Sequence, residues 1–123
     1  MWSLKTGTAG DLNWAYRYHP SWEATYCAAW LPRQNAEDFA TFFDLSHACA
    51  DLCDGVALPQ DPQLKSLATN HMAIEYLPKL KEALNLTFER PKHAVIVEED
   101  WNVFDILFVD DTHWWRLLWA TSA

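Results

Sequence analysis

The stretch "EEDWNVFDILFVDDTHWWRLLW", Glu98–Trp119, sets six carboxylates and four tryptophans among apolar residues. Its period decides the fold. From Lys92 onward apolar residues recur every second position, and "HAVIVEED", "VFDILFV" and "WWRLLWA" read as three strands separated by short polar turns. Strands joined so briefly pair most simply with their sequence neighbours, which makes an antiparallel meander. With turns at Asp100–Val103 and Asp110–His113, Glu99 pairs with Phe104 and Val109 with Trp114.

Side chains alternate across a strand, so this register divides the meander into two faces. Val95, Val97, Phe104, Ile106, Phe108, Trp115, Leu117 and Trp119 form an apolar face that is expected to meet the helices. Ile96, Glu98, Asp105, Leu107, Trp114, Arg116 and Leu118 form the other, expected to face water or a partner. On it Glu98 lies opposite Asp105, a like-charge pair that needs compensation, and Arg116 is the diagonal cation. Trp101 falls at the hairpin tip, where it either folds back onto the sheet or is presented outward.

Working back from the meander, "PKLKEALNL" predicts a short helix starting at Pro78. "QDPQLKSL" predicts another, with Asp61 as N-cap, Pro62 at the first helical position, and Leu64, Leu67, His71 and Ile74 on one face. "NAEDFATFFDLSHACADLCDG" is the clearest helix, with Asn35 as N-cap and Gly55 as the stop. Phe39, Phe42, Phe43, Ser46, Cys49, Leu52 and Cys53 line its apolar stripe. "WEATYCAAWL" reads as a strand ended by Pro32 and "WSLKT" as a short first strand. Residues 7–21 read as loop with one turn of helix at most. The expectation is a single α+β domain over residues 1–123. Its C-terminal three-stranded antiparallel meander, with room for N-terminal strands to widen it, packs on two or three helices.

Composition narrows the function. The formal net charge is −8, with 17 acidic against 9 basic residues. That balance disfavours direct nucleic-acid binding and anionic membranes, and favours a basic protein partner. The start "MWSLKTGTAGDLNW" lacks the basic and apolar regions of a signal peptide, and three cysteines make no complete disulfide set. Both points suggest a reducing, bacterial-type cytoplasm.

No nucleophile elbow, phosphate loop or zinc-protease motif is present, and three glycines leave little for a phosphate cradle. Cys49 and Cys53 lie on the apolar helix stripe while His47 points away, so they converge on no zinc ion. Asp44, His47 and Asp51 share a helix face that reads as solvated. The acidic cluster has no lysine after Lys92 to complete a metal-dependent nuclease. The expectation is therefore a non-enzymatic protein-binding domain without cofactor or metal. Its most concrete form is an immunity-type inhibitor that neutralises a basic toxin or nuclease. The expected partner-binding residues are Glu98, Asp100, Trp101, Asp105, Asp110, Asp111, Trp114 and Arg116. The rival readings are a phage-type nucleic-acid mimic, a structural or oligomeric subunit, and a small metal-dependent hydrolase. A homodimer through "WWRLLWATSA" as an edge strand is also open.

Overall fold

The computed structural model describes residues 4–21, 23–46, 65–66, 77–88, 91, 93–100 and 102–121. Among the described residues, seven strands form one antiparallel sheet: β1 (Lys5–Ala9), β2 (Leu12–His19), β3 (Ala24–Pro32), β4 (Lys65–Ser66), β5 (His93–Asp100), β6 (Val103–Val109) and β7 (His113–Thr121). Their order across the sheet is β1-β2-β3-β7-β6-β5-β4. A 3-10 turn at Arg33–Asn35 leads into helix α1 (Phe39–Leu45), and α2 (Leu77–Ala83) precedes β5.

The α+β class is correct, but the sheet is not a three-stranded meander. β3 pairs with β7 along its whole length, from Ala24↔Thr121 to Pro32↔His113. This makes β7 a central strand, not the free edge that a chain-terminal strand suggests. The physical reason is its composition. "HWWRLLWAT" is apolar on both faces, and such a strand needs neighbours on both sides and layers above and below.

Residues 7–21, expected as loop, are mostly strand: the end of β1 and all of β2. Gly10 and Asp11 form a two-residue turn between Ala9 and Leu12, with Gly10 at φ 62°. Glycine at the first central position suits a tight hairpin whose twist matches its strands. The Gly-Asp pair, flanked by Thr, Trp and Tyr, was the available signal.

β6 and β7 pair in the register expected, with Val109↔Trp114 and Asp105↔Leu118. β5 pairs Glu99↔Phe104 and Glu98↔Asp105, but its register shifts between Ile96 and Glu98. Val97 is the inserted residue. The bulge reverses the faces upstream of it. Val95 and Val97 join Leu107 and Trp114, while Ile96 packs with Phe104 and Ile106, opposite to the assignment from strict alternation.

Both faces are covered. On one, Phe42 and Phe43 of α1 meet Leu107, Trp114 and Leu118. Trp114 is held between Phe39 (ring centres 5.1 Å, edge-on) and Phe42 (5.9 Å, stacked). On the other, Leu77 and Leu80 of α2 and then Leu84, Leu86 and Phe88 cover Ile106, Phe108, Trp115 and Leu117. An α-β-α layering results.

α1 begins later than the sequence suggests. Its N-cap is Asp38, whose Oδ1 accepts from the Thr41 amide at 2.8 Å. That amide bond, and Thr41's side chain after it, hold the Asp38 carboxyl below its ordinary range. Asn35 instead closes the 3-10 turn and donates to Asp11 Oδ2 at 3.2 Å, and extended Ala36 separates it from the helix.

α2 matches expectation and ends in a turn where Leu86 N donates to Lys81 O at 2.9 Å. Asn85, at φ 54°, supplies the left-handed residue this ending requires. Arg17 Nη1 donates to Ala83 O at 2.7 Å, tying β2 to the negative end of the helix. Lys65–Ser66, read as helix from the sequence, pairs as β4 with Val95 and Ile96. Trp101, His47, Cys49, Asp51, Cys53, Gly55, Asp61 and the "QDP" start lie outside the described residues, as do Leu67, His71 and Ile74.

Candidate functional site

The expected binding face does not remain a surface. Asp105 is fully buried and Arg116 is 2% exposed. The diagonal pairing is real: Arg116 Nε donates to Asp105 Oδ1 at 3.1 Å and Nη2 to Oδ2 at 2.7 Å. The compensating cation for Asp105 is thus internal. Arg116 Nη1 also donates to Ser46 Oγ at 3.0 Å, and that hydroxyl donates to Phe43 O at 2.9 Å. The Phe43 ring lies 4.8 Å from the guanidinium carbon. One planar cation therefore ties β7 to β6 and to the last turn of α1. Two charges out of water offset each other here, so the pair confers position more than net stability.

Asp110 and Trp114 are likewise interior. Asp110 Oδ1 accepts from Thr112 N (2.8 Å), Thr112 Oγ1 (3.0 Å) and His113 N (2.8 Å), and Oδ2 accepts from Trp115 Nε1 (3.0 Å). Asp110 is a turn-builder. Trp114 Nε1 donates to Arg33 O at 2.9 Å. Asp105, Asp110, Trp114 and Arg116 are thus buried, with their polar groups bonded inside the fold. Around Asp105, Trp114 and Arg116 the face expected to be open is covered by α1.

Glu98 is half-buried and Asp100 and Asp111 are exposed. They do not form one cluster. Asp100 ends β5 and Asp111 follows β6, and the seven-residue β6 between them separates the two ends by about 20 Å. Exposed Glu99 belongs with Glu98 and Asp100. So does exposed Glu23, which the sequence reading missed. Its neighbour Ala24 pairs with Thr121, Ala120 pairs with Val103, and Val103 pairs with Asp100. Three strand spacings, roughly 14 Å, span this acidic end. Nothing local links Glu23 to Glu98, because sheet order alone brings them to one end of the sheet. Tyr18, 41% exposed, reaches the same end of β2. Nearby, burial pushes the Tyr26 phenol up, partly offset by a hydrogen bond from Trp119.

A groove of about 410 Å³ lies near edge strand β1, between the sheet and the segment after α2. Thr6, Thr8, Asn13, Trp30, Asn85 and Thr87 are among its walls. Among the described residues, no three His, Cys, Asp or Glu side chains come together as metal ligands. Among them, too, no helix is long and apolar enough to cross a membrane. Comparison with family models, curated proteins and solved structures finds no match to this chain.

Proposed function

We propose that this chain is an acidic protein-binding domain, most concretely an immunity-type inhibitor of a basic toxin or nuclease. It meets that partner with the end of the sheet that carries Glu23, Glu98, Glu99 and Asp100. The observation that carries this reading is that Glu23, just before β3, and the carboxylates that end β5 lie at one end of the sheet, in a chain of net charge −8. Charge so placed accelerates association with a basic surface and fixes its orientation. Tyr18 supplies an aromatic contact beside it.

The test is affinity capture from the source cell's lysate at low and high salt. A Glu23→Lys/Glu98→Lys/Asp100→Lys variant with unchanged melting temperature serves as control. A basic protein retained by wild type, released by salt and lost in the variant supports the reading. Equal retention by the variant sinks it. Capture of a nucleic-acid enzyme that DNA displaces would mark a mimic, and capture of its own copies a structural subunit.

A further inference from the structure

The groove beside β1 differs in chemistry from the rest of the surface. One fifth of the chain is charged (21%), yet none of the thirteen residues lining the groove is ionisable. They divide into two kinds. Indole rings and leucines form apolar walls, while Thr6, Thr8, Thr87, Asn13 and Asn85 bring three hydroxyls and two carboxamides.

The tryptophans separate in the same way. Buried Trp114 and Trp115 have both spent their indole N–H groups, on Arg33 O and Asp110 Oδ2. Half-buried Trp14 and Trp30 donate to no acceptor among the described residues. The side chains of Asn13, Asn85 and the three threonines likewise make no hydrogen bond within that set. Asn13 and the two indoles are half-buried while Thr6, Thr8, Asn85 and Thr87 are exposed, so the lining presents accessible donors and acceptors around aromatic walls.

The geometry is built. Trp30 stacks on Trp115 with ring centres 5.3 Å apart. The Trp14 indole lies against the backbone of Gly7, where any side chain would collide with it. Asn85 is held at the groove by the left-handed turn that ends α2. Volume and mixed lining fall in the range of small-molecule sites.

We propose that this groove binds a neutral saccharide. A pyranose ring presents C–H faces that pack on indole and hydroxyls that both donate and accept. Carboxamides, hydroxyls and indole N–H groups complement these without any charge. An anionic ligand would meet a net charge of −8 with no cation in the lining, and a cationic one would find no carboxylate there to pair with. The site is separate from the acidic end of the sheet and does not rest on the inhibitor reading.

The experiment titrates the intact chain with the tetraoses of the cello, malto and N-acetylchito series, each to about 10 mM, following the indole N–H resonances. Saturable shifts confined to Trp14 and Trp30 are expected for at least one series, and none with a heparin tetrasaccharide. Thr8→Arg and Thr87→Arg each set a guanidinium at an exposed wall position. They should weaken binding by more than about tenfold at unchanged melting temperature. No shift with any of the three series overturns the proposal. So do shifts that both variants leave intact, or shifts with free indole and no saccharide.

Discussion

Arg116 and Asp105, on neighbouring strands and offset diagonally, form a two-bond ion pair with neither residue more than 2% exposed. The guanidinium reaches past the carboxylate to Ser46, so the pair registers α1 on the sheet as well as β6 against β7.

Removing one partner strands the other charge in the interior. Asp105→Ala is expected to cost about 3–5 kcal/mol in urea unfolding. The double replacement Asp105→Leu/Arg116→Met should recover most of that. If the double variant is no more stable than the single, burial of the unpaired guanidinium is not the source of the loss.

Asp110 receives four hydrogen bonds and controls the β6–β7 turn. Asp110→Ala leaves the Trp115 indole N–H and two turn amides without this acceptor, a loss of roughly 2–4 kcal/mol. Asp110→Asn should fall between, since one amide oxygen still accepts. Equal denaturant midpoints for all three chains would show that the turn forms without its aspartate.

Gly7 faces Trp14 across the β1–β2 pair, and a Cβ there would come within 2.7 Å of Trp14 Cε2. Gly7→Ala is expected to destabilise by about 1–3 kcal/mol, because overpacking displaces the ring. Trp14→Leu in the same chain should largely abolish that effect. A double-mutant cycle with no coupling would mean that the ring moves aside freely.

Tyr26 and Asp38 each give the stability a pH dependence. The Tyr26 phenol titrates above its ordinary value of 10.0 because burial disfavours the phenolate. Its contribution is complete below pH 10.0 and is lost as pH rises through the higher folded value. Tyr26→Phe should therefore lose less stability than wild type between about pH 10 and 12, as read by alkaline unfolding. Identical curves would refute the shift.

Asp38 has the opposite sign. Its carboxyl is held below 3.8 by the Thr41 bonds, so its contribution is present above 3.8 and disappears as pH falls through the folded value. Asp38→Ala should be less stable than wild type near about pH 7, and the gap should close near about pH 2. A gap that persists in acid would assign the effect to something other than the charged cap.

The strands from β5 to β7, the β6–β7 register and the β5–β6 register beside its turn were legible in the sequence, because short turns and a period of two act over a few residues, but the bulge at Val97 was not. Glu98 therefore faces Asp105, and Arg116 lies diagonal to it, as alternation requires. α2 was legible from its proline and apolar spacing. Glu23 and the groove were not, because each depends on which strands become neighbours. What the sequence by itself determined is this local pairing and the side of β6 and β7 on which each residue projects. Only the tertiary structure decided which sides are covered. α1 closes over Asp105 and Arg116, α2 covers the opposite face, and β3 docks on β7 to make the last strand central. Projection is set by bonds along the chain, whereas burial is set by segments dozens of residues away. An alternating strand has the same pattern whether its charged side meets water or a helix.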